Sequence, residues 1–131
     1  MTPAPAILLS VAAGGALGAV LRLLCTSAAL RLLGPGFPFG TLLVNVAGSL
    51  AMGLAAVLLL ERAPALGPRL APFVMTGLLG GFTTFSAYSL ETLTLIERGR
   101  AGAALLYTGA SLALSLLALW AGLMLARAWL G

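Results

Sequence analysis

The chain has 131 residues, of which 61% are apolar and 8% charged, with a net charge of +4. A soluble domain carries roughly half apolar and about a quarter charged residues, so this balance excludes a water-soluble globule, a disordered tail and a disulfide-stapled secreted module. Seven Arg and three Glu are the whole charged set; Lys, Asp, His and Gln are absent and Asn45 is the one Asn, which leaves acid, base or nucleophilic catalysis almost nothing to work with.

A transmembrane helix needs roughly 20 mostly apolar residues. The sequence predicts four, over Ala6–Leu32, Phe39–Leu60, Leu70–Ile96 and Ala101–Ala126. Between them lie residues 34–38 (Gly-Pro-Gly-Phe-Pro), 61–69 and 97–100, each carrying Pro, Gly or charge, which end helices and prefer the interface. Residues 1–131 therefore read as one all-α, integral-membrane, four-helix domain. The residues before the first span lack a basic stretch, and that span is too long for a signal-peptide core. Cys25 stands alone, without a disulfide partner in the chain, and reads as small apolar packing.

The first span holds Gly14 and Gly18, a spacing that lets helix backbones approach closely. It also holds Arg22, whose place inside a span costs at least ~2.5–3.5 kcal/mol on insertion scales. Such an Arg faces water or an anion, or it snorkels to a structural partner such as Glu91. In the second span Asn45 sits about two turns in, with two donors and one acceptor on its amide; a structural interhelical hydrogen bond is the usual employment of such a group.

The third span carries Gly80-Gly81-Phe82-Thr83-Thr84, poor helix material, and is expected to break in mid-membrane. A break frees carbonyls that protein, water or a cation must meet. The carbonyls of Gly80 and Thr83, doubled across a dimer axis, would make a four-oxygen cage for a hard monovalent cation such as Na⁺. Beyond the break, Phe85 and Tyr88 share a helical face. They read either as core packing or as ring edges, which are positive and favour a small anion. In the fourth span Tyr107, Ser111 and Ser115 recur at i, i+4 and i+8, a polar stripe on an apolar helix.

The positive charge is spread over helix ends, so nucleic acid is not expected as a partner. Four spans put Arg62, Arg69 and Arg127 on one side and Arg31, Arg98 and Arg100 on the other, three against three. The charge difference that sets orientation is then zero. The tie is either an accident of short loops or the mark of a chain that inserts both ways and pairs antiparallel, with a two-fold axis in the membrane plane.

Neutral donors dominate the polar set within the spans. No His, Cys and Asp cluster suits a metal, and the first 60 residues contain no acid, which counts against a proton-coupled exporter of the small four-helix multidrug type. The run Gly80-Gly81-Phe82-Thr83-Thr84-Phe85-Ser86-Ala87-Tyr88-Ser89 with Glu91 resembles the third-helix signature of the CrcB/Fluc fluoride channels. The segments Gly40 to Asn45 and Gly14 to Arg22 resemble that family's second- and first-helix motifs, and Tyr107, Ser111 and Ser115 its polar track on the fourth helix. The resemblance implies a passive, fluoride-selective channel in a prokaryotic cytoplasmic (inner) membrane, built as an antiparallel dual-topology homodimer. It further implies that Asn45, Phe85, Tyr88, Tyr107, Ser111 and Ser115 follow the fluoride pathway, and that Arg22 stands at the vestibule. Gly80 and Thr83 would hold a structural Na⁺ through their carbonyls. The family usually has Phe at the position of Tyr88, and this departure leaves open a different track or a place in a heteromeric pair.

Overall fold

The structure, a computed structural model, describes residues 2–131; Met1 lies outside them. The described chain is all helical, and four of its helices are long and apolar enough to cross a membrane: Pro5–Leu33, Phe39–Glu61, Gly67–Glu97 and Ala101–Leu130. We label the first two α1 and α2. The third span is not one continuous helix and is divided into α3 (residues 67–82) and α4 (Phe85–Glu97). The fourth, Ala101–Leu130, is α5.

Local chemistry sets each end. Pro5 opens α1, where a missing N–H costs nothing. Gly34 closes it with φ at 79°, a conformation that favours glycine, and gives its N–H to Leu30 O at 2.9 Å. After α4, Gly99 (φ 75°) bonds Ile96 O at 3.0 Å and Arg100 N bonds Leu95 O at 2.8 Å, a paired closure that turns the chain into α5. Two stretches wind more widely, Ala56–Glu61 at the end of α2 and Pro72–Leu79 within α3. The second begins at Pro72, which has no N–H to give a tighter turn.

Within the third span the chain leaves the helix at Thr83 (φ −91°, ψ 158°) and Thr84 (φ −152°, ψ 124°). The break falls at the two threonines of the run expected to be poor helix material, while Gly80 and Gly81 at its start are both helical. Thr84 restarts the helix by accepting Ala87 N–H on its side-chain oxygen at 3.1 Å, the capping that Thr performs well.

The glycines serve packing instead. The helix α1 lies along α3, and α2 along α5. A Cβ on Gly77 would lie 3.0 Å from Gly14 Cα, and one on Gly81 would lie 2.6 Å from Gly15 O. Between α2 and α5, a Cβ on Gly53 would stand 3.1 Å from Gly122 Cα, with the reciprocal distance 3.2 Å. The spacing of small residues read in α1 is therefore spent within the chain, against α3. Leu, Ile and Trp side chains cover the outside, among them Leu32 and Trp129, as lipid rather than water would ask.

Candidate functional site: a donor-lined groove beside a helix break

Each residue at the break has a defined partner. The Asn45 amide on α2 clasps the Thr84 backbone at two points: Asn45 Nδ2 donates to Thr84 O at 2.9 Å, and Thr84 N donates to Asn45 Oδ1 at 2.7 Å. Because the Thr84 N–H can only donate, the orientation of the amide is fixed, and one Asn45 N–H is left over. In an unbroken helix Thr84 N would bond Gly80 O and Ala87 N would bond Thr83 O. Here those donors go to Asn45 Oδ1 and Thr84 Oγ1, so the carbonyls of Gly80 and Thr83 lose their usual partners. Arg22 comes from α1 and donates from Nε to Gly81 O at 3.0 Å. Its partner is thus a carbonyl beside the break, and not Glu91.

Alongside the break runs an open groove of about 390 Å³, walled by α2, the break and α5. Asn45, Ser49, Thr83, Thr84, Phe85, Tyr88, Ser111 and Ser115 all line it. Five of the six residues read as a pathway from the sequence therefore meet on one surface. Phe85 is 77% exposed along it, and its ring lies 5.4 Å from that of Tyr88. The Ser111 hydroxyl is buried and, among the described residues, has no hydrogen-bond partner. This sets it apart from its neighbours. Thr26, Thr83, Ser89, Thr92 and Thr94 each donate to the carbonyl four residues back, at 2.8–2.9 Å.

Tyr107, the sixth residue, has no exposed surface and lies off the groove wall. Its hydroxyl donates to Glu91 Oε2 at 2.8 Å, while Thr41 donates to Glu91 Oε1 at 2.7 Å. A second cavity, about 410 Å³, opens above that carboxylate between the 34–38 linker and Arg98 and Arg100. Arg100 reaches across to bond the Gly36 carbonyl. Rings join the two cavities: Phe85 touches Tyr88, Tyr88 touches Tyr107 at 5.2 Å, and Tyr107 meets Phe37 edge-on at 5.5 Å. Arg22 lines neither cavity. Thr41, Thr84 and Thr108 were missed by sequence reasoning, since Thr is common in spans and nothing in its spacing marks a distant partner.

The far ends of α2 and α5 are tied by charge. Arg127 grips Glu61 with Nη2 at 2.7 Å and Nε at 3.3 Å, and Arg62 donates to Leu130 O at 2.8 Å. The pair is exposed and worth little in stability, and it lies away from both cavities.

The groups available are hydroxyls, one amide N–H, ring edges and two released carbonyls. Among the described residues no cluster of His, Cys, Asp and Glu could hold a metal. Such a set can strip a small anion and hold a hard cation through oxygen. Residues 9–123 match the model of the family described as CrcB-like protein, Camphor Resistance (CrcB). Curated relatives bear the name fluoride-specific ion channel FluC. That of Cereibacter sphaeroides is 54% identical over 123 residues, covering 94% of this chain and 96% of the relative. That of Paracoccus denitrificans is 56% identical over 119 residues (91% and 93%), and that of Rhizobium meliloti 49% over 121 residues (92% and 96%). The match over residues 9–123 and the near-full-length likeness to these relatives place the chain in the CrcB family of fluoride-channel proteins.

Proposed function

We propose that the chain is the subunit of a passive, fluoride-selective channel that lets fluoride leave the cell and so relieves its toxicity. The relatives' name supports the ion, and the buried, unpartnered Ser111 hydroxyl on the groove wall is the observation that carries the pathway. A buried donor without a partner is costly, and an anion that accepts strongly repays that cost. Fluoride enters the cavity beneath Arg98 and Arg100, passes the Tyr107 and Tyr88 rings, and sheds water onto the free Asn45 N–H, Ser111 and Ser115. Phe85 presents its ring to the same groove. Arg98 and Arg100 line that cavity and draw anions toward the mouth; Arg22, expected at the vestibule, instead places its charge on the carbonyl of Gly81 beside the break. Chloride, larger and a weaker acceptor, gains less from the same donors.

The reading extends to assembly and location. The 131 residues act as one four-helix unit, with the break at Thr83–Thr84 near the bilayer midplane of a prokaryotic inner membrane. A second, antiparallel copy closes the groove, which a single chain leaves open. The released carbonyls of Gly80 and Thr83 fit a structural Na⁺ shared between two copies, since both are hard neutral oxygens. Bound there, Na⁺ would supply fixed positive charge and pin the breaks together without being transported.

The small proton-coupled exporter, the rival reading of a four-helix membrane chain, lacks the first-helix carboxylate such a transporter uses. Its remaining candidate, Glu91, is bound at both oxygens by Thr41 and Tyr107. Fluoride efflux from liposomes holding the purified chain, followed with a fluoride electrode, tests the proposal. Rapid, fluoride-selective efflux is expected; no efflux, or chloride moving equally fast, overturns it.

A further inference from the structure

Tyr88 is half-buried on the groove wall, its ring tilted 45° against Phe85 and 50° against Tyr107. Its hydroxyl is a strong donor next to a path proposed for an anion, yet it is already spent. It donates to Thr108 Oγ1 on α5 at 3.0 Å. Thr108 lines neither cavity. Thr108 also departs from the habit of the other span threonines: among the described residues its hydroxyl makes no bond to the carbonyl four residues back, and Tyr88 is its partner. The bond uses Thr108 Oγ1 as acceptor and links α4 to α5.

Aromatic side chains turn about their last torsion in broad wells. Packing from Phe85 and Tyr107 limits that rotation from two sides; the phenol oxygen lies on the rotation axis, so the bond to Thr108 fixes where the far end of the side chain points and keeps it from swinging into the groove. The angle matters because a ring offers an anion a favourable edge and an unfavourable face. A phenol hydroxyl swung free would add a donor to the groove and hold fluoride where it should pass, since conduction needs binding weak enough to leave. We infer that Thr108 is the positioning residue for Tyr88: its Oγ1 holds the Tyr88 hydroxyl out of the groove and keeps the ring seated between Phe85 and Tyr107, whose packing sets the angle at which it meets the passing ion. The inference rests on the groove being the fluoride path.

The test is a double-mutant cycle on the full chain in liposomes, using Thr108→Val, Thr108→Ser, Tyr88→Phe and the Thr108→Val, Tyr88→Phe double variant, with the initial rate of fluoride efflux as readout. Thr108→Val is expected to slow efflux about fivefold when Tyr88 is present, the scale of one hydrogen bond, and Thr108→Ser to restore it. Added to Tyr88→Phe, Thr108→Val should change nothing further, whatever rate Tyr88→Phe itself supports. A loss of the same size in both backgrounds, or a Thr108→Ser variant as slow as Thr108→Val, would overturn the inference. Melting of the parent and the same four variants in detergent reads the bond without flux: Thr108→Val must lower the melting temperature with Tyr88 and not with Tyr88→Phe. Equal lowering in the two overturns the inference even where Tyr88→Phe is too slow to assay. A parent chain that passes no fluoride overturns the channel reading and this inference together, whereas a conducting parent without coupling overturns the inference alone.

Discussion

Ser111 and Asn45 line the same groove but spend their polar groups differently, and substitution separates the two uses. Asn45 holds Thr84 at two points, so Asn45→Ala strips partners from a backbone N–H and C=O that lie half-buried. It is expected to cost about 1–3 kcal/mol of stability and to slow fluoride efflux as well. Ser111 has no partner to lose. Ser111→Ala removes a buried donor that has no partner, so it should hold or raise the melting temperature in detergent while slowing efflux about tenfold, the scale of one hydrogen bond to a charged acceptor. A Ser111→Ala protein that melts lower and conducts normally would show that its hydroxyl is structural. Helical spacing made the pairs Phe85 with Tyr88 and Ser111 with Ser115 legible in the sequence, whereas the grouping of these pairs with Asn45 came from the family resemblance alone. The roles of Thr41, Thr84 and Thr108 were not legible. A span threonine bonds its own helix unless a neighbouring helix brings a better partner within reach, and that depends on how the helices cross.

At the scale of elements, the glycine pair in the third span shows how one composition serves two ends. Helix propensity alone marks Gly80-Gly81 as the place to break, yet the helix runs through both and stops at Thr83. Close packing explains Gly81: a Cβ there would lie 2.6 Å from Gly15 O and 3.1 Å from Ala19 N, both backbone atoms that cannot yield cheaply. At Gly80 the nearest atom would be Met75 O at 3.6 Å, an ordinary contact. Gly81→Ala is therefore expected to push α1 from α3, strain the Arg22 bond to Gly81 O and destabilise by about 1–3 kcal/mol, as overpacking does. Gly80→Ala should fold like the parent, and thermal melting of the two variants side by side checks the contrast. The four spans themselves were legible, their starts and ends falling within four residues of those expected from hydropathy. The largest miss, at the end of α5, arises because Arg127 is held by Glu61 and Arg62 caps Leu130, so charge extends the helix where it was expected to end it.

Apart from Arg22 and Glu91, the charged residues fall in two small sets at the helix ends, and the balance between those sets is what the proposed insertion both ways rests on. The linkers of residues 34–38 and 97–100 meet at one end, where Arg100 bonds the Gly36 carbonyl, while Glu61, Arg62 and Arg127 gather at the other. With three Arg counted at each end, neither is favoured for the cytoplasm. Two arginines should then decide it. Ala65→Arg with Leu66→Arg adds them to the exposed 61–69 linker, and Ala101→Arg with Gly102→Arg adds them at the opposite end, where a side chain on Gly102 meets nothing within 4 Å. A reporter fused to the C-terminus of the parent should read on both faces of the membrane; in the first variant it should read inside only, and in the second outside only. If the groove needs an antiparallel partner to close, either variant expressed alone should pass little fluoride, and the two expressed together should recover it. Full efflux from one variant alone, with its reporter on a single face, would mean that the groove is closed by something other than an inverted copy. That outcome would leave the donor set in place and remove the two-way insertion that the even charge count allows.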